Sequence, residues 1–372
     1  MTTVQYIEEI LTAYDFEGTY TGYRHITAGH INTTFALQFD VNGKNVQYIA
    51  QRINTNVFKK PDQLMENMVN VTRHLAEKIK ENGGDTERET LTALIAKDGK
   101  PYHIMADGSF FRCVNFITDA YSCDTIENPQ VFFNAGAAFG DFMSKLADFD
   151  GSTLHETIPD FHNTKQRFKN FLVALEANKS GRKDNVKEEI DFVLQREKDA
   201  EKFVNLIEEG KLPIRVTHND TKINNIMFDN QSNLGVCILD LDTVMPGLSL
   251  YDFGDAIRSG AGTAAEDEKD ASKMKLDVQL YKAYTEGYLS TAGKSLTPEE
   301  AENLAFSAKL LTFECGMRFL TDYLDGDVYF HTDYAEHNLV RCRTQFALVA
   351  DIEKHMDELN EITAELYGRY SK

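Results

Sequence analysis

"VTHNDTKINNIMFD", residues 216–229, decides how this chain is read. Its ends are apolar and β-branched, which suits two strands. Its middle sets His218, Asp220, Lys222 and Asn225 into eight residues. A polar run held between strands is a loop whose ends are fixed, and fixed ends give side chains the placement that catalysis needs.

The pattern is H-x-D-x-x-x-x-N, and the next hairpin closes on "ILDLD", so that Asp240 follows Asp220 by twenty residues. Phosphoryl transfer from a nucleotide held without a P-loop uses these parts. Asp220 accepts or orients the nucleophilic hydroxyl. Asn225 and Asp240 supply oxygens to Mg²⁺, which keeps several waters and needs few protein ligands. H-x-D-x₄-N alone is permissive. The strand–loop–strand setting, the later carboxylate and a β-rich segment upstream together spell a kinase-like fold. Lys222 is either a point charge for the γ-phosphate or a surface lysine. His218 is read as a brace for the loop rather than a proton carrier.

Two look-alikes are set aside. "YDFGDAIR" contains a literal D-F-G at Asp252 to Gly254, but it opens a helix beyond the next hairpin, so Asp252 reads as a cap or loop brace. "GAGTAA" from Gly260 follows no strand, so it is not a dinucleotide fingerprint. No G-x-x-x-x-G-K-[ST], G-x-S-x-G or H-E-x-x-H occurs.

Upstream, Thr33 to Phe39 alternates, Asn42-Gly43 marks a type I′ turn, and Val46 to Ala50 resumes as strand. Leu64, Met68, Val71, Leu75 and Ile79 fall at helical spacing after Pro61. "LTALIAKDGKPYHIMADGSFFRCVNFI" then reads as three strands parted by two D-G turns. The expectation is α+β: a bilobed, protein-kinase-like fold. A small N-terminal lobe over residues 1–117 carries a five-stranded antiparallel sheet and one helix, in the order β-β-helix-β-β-β. A larger, mainly helical lobe over 118–372 carries catalysis and the substrate.

The turn "ITAGHINTTF" is the candidate phosphate cradle. Gly29 lets backbone N–H groups approach phosphate oxygens, and His30 and Asn32 are polar groups on the same turn. The third strand departs from the protein-kinase V-A-I-K pattern, with Gln51 where Lys is expected and Arg52 next. Alternation sends these two to opposite faces, and Arg52 is the candidate phosphate contact. Glu66 lies opposite the apolar stripe of its helix, so no Lys–Glu pair is expected.

In the remainder, Asn128-Pro129 starts a helix in which Gly136 and Gly140 suggest a close-packed contact. Asn185 to Glu209 reads as one long charged helix. From about Leu276 onward the chain is helical, and the last helix docks on its own domain.

The formal charge is −20, which disfavours nucleic acid and anionic membranes as partners. A small anionic ligand remains compatible, provided that Mg²⁺ and a few cations meet it. No window suits a membrane span and no signal peptide is read at the N-terminus. The five scattered cysteines fit free thiols, and a cytoplasmic setting is expected.

Beyond the shared loop, "GHINTTF", "RVTHNDTKINNIMFD", "DLDTVMPG", "YDFGDAIR", "TAAEDEKDASK", "AYTEGY", "ECGMRFLTDYLDGDVYF" and "EHNLVRCRTQ" resemble one branch of the aminoglycoside phosphotransferase/choline kinase superfamily, the bacterial N-acetylhexosamine 1-kinases. These blocks run from about residue 18 to 350. The resemblance implies ATP and Mg²⁺ as cofactors, and phosphorylation of N-acetylglucosamine or N-acetylgalactosamine at the anomeric hydroxyl, in sugar salvage. It implies Asp220 as catalytic base, Asn225 and Asp240 as metal ligands, and Arg318 and Tyr329 as sugar contacts, with His30 a further one. The alternatives are an ion-paired Arg318 and a core Tyr329; a sibling kinase acting on homoserine, methylthioribose, choline or an aminoglycoside; and a non-catalytic protein of the same fold.

Overall fold

The computed structural model describes residues 1–27 and 31–372. Gly29 and His30 therefore lie outside the described residues. The chain opens with a helix, α1 (Thr3–Ala13), closed by a capping box between Thr2 and Gln5. Three strands follow: β1 (Thr19–Ile26), β2 (Thr33–Val41) and β3 (Lys44–Arg52). Asn42 and Gly43 both take positive φ, 55° and 83°, as a type I′ turn requires. Then come α2 (Pro61–Glu81), the single turn α3 (Thr86–Glu89), β4 (His103–Ile104) and β5 (Phe110–Asn115). The strands form an antiparallel sheet in the order β1-β2-β3-β5-β4.

The expected five strands are present, but one member differs. Leu91 to Ala96 contributes only the isolated bridge Ala93–Val114. β1 takes its place as an edge strand, mostly exposed. Each sheet face is covered. α1 sends Tyr6, Ile7 and Ile10 against Phe35, Leu37 and Phe111 on one face. α2 sends Leu64, Met68, Val71, Leu75 and Ile79 into the main core on the other.

The larger lobe adds β6 (Ala120–Tyr121), α4 (Pro129–Lys145), α5 (Thr164–Ala177), α6 (Lys187–Leu194) and α7 (Glu197–Glu208). After these come β7 (Arg215–Thr217), β8 (Ile226–Asp229), β9 (Gly235–Ile238) and β10 (Met245–Gly247). It ends with α8 (Ser249–Gly260), α9 (Val278–Ala292), α10 (Pro298–Glu302), α11 (Leu304–Asp325) and α12 (His337–Tyr370). The single helix expected over 185–209 is two. Arg196 turns its guanidinium back to the Phe192 carbonyl (2.9 Å) and across to Glu353 of α12 (2.7 Å), and the chain bends there.

α4 and α9 meet backbone to backbone. A Cβ on Gly136 would overlap the Tyr284 carbonyl, and one on Gly140 would overlap the Tyr288 carbonyl and the Thr291 hydroxyl. α12 docks on its own lobe, burying Val349, Ile352, Leu359 and Leu366. All five cysteines are free. Among the described residues, no helix is long and apolar enough to cross a membrane.

Candidate active site

The site is built on the loop between β7 and β8. β7 pairs with β10, and β8 pairs with β9, so both ends of the loop are anchored. Inside the loop Asn219 takes φ +66°, a conformation costly for most side chains but tolerable for Asn. The cost is offset from α8. Asp252 accepts from the backbone N–H of His218 (2.9 Å) and of Asn219 (2.7 Å), while the Thr221 hydroxyl donates to the Asp252 carbonyl (2.5 Å). The literal D-F-G is therefore a brace beneath the loop. Asp255, one turn on, accepts from the N–H of Thr221 (3.1 Å).

His218 is a second brace. Its ring is fully buried against Phe139 and Phe142, and its Nε2 bonds the Leu239 carbonyl (2.8 Å). The Asp220 N–H donates to its Nδ1 at 3.2 Å. Both ring nitrogens are thus committed to holding backbone.

The side chains above these braces converge. Lys222 Nζ lies 2.9 Å from Asp220 Oδ1. Burial pulls the Lys222 ammonium down, but Asp220 and Asp255 outweigh it and the net shift is upward. Asn225 gives its amide N–H₂ to the Asp220 carbonyl (2.8 Å) and Oδ2 (3.3 Å), and its amide oxygen has no hydrogen-bond partner among the described residues. Asp240, at the end of the β8–β9 hairpin, sits in the left-handed region at φ +54°. Burial raises its carboxyl pKa to about 7, with Asp242 and Asp220 adding to the rise.

Carboxylates crowded so that one resists ionisation are a site that a cation would relieve. The free Asn225 oxygen and the Asp240 carboxylate are hard oxygen donors suited to Mg²⁺. No three His, Cys, Asp or Glu side chains converge as a preformed metal cage among the described residues.

Asn32 reaches the site from the small lobe. Its Nδ2 donates to Asp242 Oδ2 (2.6 Å), and its Oδ1 accepts from the Asn54 N–H (3.0 Å). Arg52 does not reach the site. Its guanidinium sits over the Tyr6 ring, 5.4 Å from the centroid, on the α1 face of the sheet, which corrects its reading as a phosphate contact. The strand alternation that places Ala50 under α1 sends Arg52 the same way. Gln51 takes the cleft face, where its Oε1 accepts from Arg112 Nε (3.0 Å) and Nη2 (2.7 Å).

Arg112 is the residue that the motif search missed. It lies on β5, directly across from Gln51, and is 2% exposed. Its Nη1 comes within 2.5 Å of Asp242 Oδ1, close enough for an ion pair though not aligned for a hydrogen bond. The signal in the sequence was a lone arginine inside the otherwise apolar "FFRCV" strand, since buried charges are rare without a partner.

Arg318 and Tyr329 share a cavity of about 440 Å³ with Arg167, Lys179, Asp322 and Asp325. The carboxylates on this wall are occupied. Asp322 accepts from the N–H groups of Val328, Tyr329 and Phe330 and from Asn338, while Asp325 pairs with Lys179. Arg318 has no carboxylate within ion-pair distance among the described residues, and Tyr329 is 63% exposed at the rim. On its far side the Arg318 guanidinium lies over the Phe161 ring, 5.7 Å from the centroid. The next residue, His162, bonds the Asn219 carbonyl (3.2 Å).

Residues 117–295 match the family described as "Phosphotransferase enzyme family" (APH). Over almost its whole length the chain is similar to solved structures. One is an aminoglycoside phosphotransferase from Alicyclobacillus acidocaldarius, at 14% identity and TM-score 0.59, covering 96% of each chain. A choline kinase from Cryptosporidium parvum matches at 13% identity and TM-score 0.56, covering 98% of this chain and all of that one. A spectinomycin phosphotransferase, in complex with ADP and spectinomycin, matches at 13% identity and TM-score 0.57, covering 96% of this chain and 99% of that one. Identities this low speak for the fold, and the family match speaks for the segment that holds the loop, its braces and Asp240. Residues 117–295 thus match the phosphotransferase enzyme family, and the chain has the fold of the aminoglycoside phosphotransferase and choline kinase structures.

Proposed function

We propose that the protein is an ATP-dependent small-molecule kinase that phosphorylates the anomeric hydroxyl of an N-acetylhexosamine. The observation that carries the kinase reading is one braced loop on which Asp220 pairs with Lys222 and holds the Asn225 amide, with Asp240 near enough for the Asp220 charge to raise its pKa. In this reading residues 1–117 form the nucleotide lobe and 118–372 the catalytic and acceptor lobe. Asp220 orients the acceptor O–H and takes its proton as the O–P bond forms and the bond from the γ-phosphorus to the ADP oxygen breaks. Lys222 lowers the electrostatic cost of bringing phosphate to that carboxylate. Mg²⁺, held by Asp240 and Asn225, would supply charge stabilisation for the phosphates.

Pocket chemistry supports a neutral acceptor. Arg167 and Arg318 face one cavity, and burial together with Arg318 lowers the Arg167 pKa. With Asp322 saturated and Asp325 set against Lys179, a cationic acceptor such as choline or an aminoglycoside would meet a wall of three cations and two carboxylates. An N-acetylated sugar is uncharged, offers an acetyl oxygen to a forked donor, and offers a ring face to Tyr329.

The test is Mg·ATP turnover against a panel of N-acetylglucosamine, N-acetylgalactosamine, glucosamine, choline and an aminoglycoside, with the product read by phosphorus NMR. The expected product is a C1 phosphate of the acetylated sugars. Phosphate at C6, or preferential turnover of choline or the aminoglycoside, would refute the acceptor; no turnover of any acceptor would refute the kinase.

A further inference from the structure

A phosphate-binding site needs cations, and the strand register places Arg24 of β1 and Arg112 of β5 on the cleft face of the sheet. The third strand offers Gln51 where a lysine is usual, and Arg52 points away. What faces inward from the neighbouring strand is Arg112. It is buried against the sulfurs of Met65 (4.0 Å) and Met68 (3.4 Å) on α2, and oriented by two hydrogen bonds to Gln51. The glutamine holds the arginine from its own sheet, so the positive charge normally carried by one strand is displaced to the next.

The partner of Arg112 lies in the other lobe. Asp242 follows Asp240 by two residues, is 3% exposed, and also accepts from Asn32, the residue before β2. Asp242 thus meets Arg112 across the cleft, while Asp220 meets Lys222 within its own loop. A buried ion pair is weak evidence for stability, because desolvation offsets much of the attraction. Its lasting value is to keep a charge oriented in a place where water is scarce. The same guanidinium fork that meets a carboxylate also meets phosphate oxygens.

We propose that Arg112 is the small lobe's nucleotide-phosphate contact, held on Asp242 until a phosphate group takes the carboxylate's place as its partner. The inference rests on the kinase reading above and adds a residue to it. It makes Gln51 a positioning residue, which acts by aiming Arg112. It also gives Asp242 a role apart from that of Asp240, as a placeholder for the phosphate. The lobes are clasped elsewhere, since Asn67 of α2 donates to the carbonyls of Val244 (3.0 Å) and His155 (2.8 Å). Loss of the Arg112–Asp242 pair therefore leaves the lobes joined.

The test compares ATP with adenosine by calorimetry, in EDTA and then with Mg²⁺. For Arg112→Gln, ATP affinity is expected to fall about tenfold or more, the value of one lost charge-assisted contact, while adenosine affinity stays within about twofold. Removing Arg112 leaves Asp242 unpaired and threatens the fold, so Arg112→Gln/Asp242→Asn is measured against Asp242→Asn alone, and the same selective loss is expected. Gln51→Ala should give a smaller loss with the same selectivity. Equal losses for ATP and adenosine, or none, would make Arg112 a strut between lobes and overturn the proposal. Wild-type protein that binds no ATP would overturn the kinase reading along with it.

Discussion

Glu314, in the middle of α11, accepts from His162 Nδ1 at 2.8 Å, and both side chains are buried. The other ring nitrogen of His162 faces the Asn219 carbonyl at 3.2 Å, and Thr164 donates to the second Glu314 oxygen at 2.5 Å. The pair joins α11, which carries Arg318 one turn on, to the residue preceding Asp220. Glu314→Ala would leave His162 unpaired in the interior. It should lower unfolding stability by about 3 kcal/mol, within the range for breaking a buried pair, as read by urea denaturation. Glu314→Gln should lose less stability yet still lower kcat, because the ring then holds Asn219 less firmly. Unchanged kcat in a folded Glu314→Gln would separate the pair from the catalytic loop.

The same pair predicts an acid-side loss of stability. Burial alone would raise the Glu314 carboxyl, but His162, Arg318 and Thr164 outweigh it and hold it below the ordinary carboxyl range. Glu300 is likewise held low: burial raises it, and Arg215, the Thr297 N–H and Ser249 outweigh burial. A depressed folded pKa means that these contributions are complete above the unfolded value of about 4.3 and are lost as pH falls through the lower folded values. Urea midpoints should therefore be flat from pH 8 to about pH 5 in this respect and fall below it. Glu300→Gln should shrink the fall.

Asp252 gives a test between two readings of the literal D-F-G. If it acts only through the N–H groups of His218 and Asn219, Asp252→Ala should destabilise the protein by about 2–4 kcal/mol, the value of charged hydrogen bonds lost in the interior. It should lower kcat but leave the Mg²⁺ concentration for half-maximal activity unchanged. A shift of that concentration comparable to the one caused by Asp240→Asn would place Asp252 at the metal.

What the sequence made legible follows from how local each signal is. The Asn42-Gly43 turn, the Asn128-Pro129 start and the tight glycines Gly136 and Gly140 are read from a few neighbouring residues, and each stands where expected. The polar loop stands between β7 and β8 as expected, because apolar β-branched residues flank it within one short stretch. β1 was hidden because an edge strand with mostly exposed residues shows no apolar alternation. α1 carried a capping box at Thr2 and Gln5, a signal present but unused. The break at Gln195–Arg196 depends on Glu353, far along the chain, and no local window contains it. Arg112 and Asp242 are likewise partners only in three dimensions. Arg52 was misplaced because strand register, which decides its face, is set by the pairing with β2 and β5 rather than by its own sequence.

Arg318 and Tyr329 predict a split between the two substrates. Both line one cavity, and neither is hydrogen-bonded to the loop that holds Asp220 and Asn225. Arg318→Ala should raise the acceptor KM about tenfold or more, the cost of a lost charged contact, while the ATP KM stays within about twofold. Tyr329→Phe should have a smaller effect than Tyr329→Ala if the ring face does the binding. An equal rise in both KM values would mean that these residues shape the lobe rather than touch the acceptor.

Asp240 predicts a trade between stability and metal affinity. Burial, with Asp242 and Asp220, raises its pKa to about 7. A raised carboxyl favours the folded state below its unfolded pKa of about 3.9, and that benefit is lost as pH rises through about 7. At pH 8 without metal the ionised Asp240 therefore strains the fold. Asp240→Asn, which tolerates the left-handed backbone there, should be more stable than wild type in EDTA at pH 8. Screening at its partly exposed rim holds the expected gain to on the order of 1–2 kcal/mol. The gain should vanish near pH 4, where both side chains are neutral. Mg²⁺ should reverse the order at pH 8 by stabilising wild type and not the variant. Proton and metal compete for the same oxygens, so the affinity for Mn²⁺, followed by EPR as a stand-in, should weaken as pH falls through about 7. A variant that binds Mn²⁺ as tightly as wild type would remove Asp240 from the metal site.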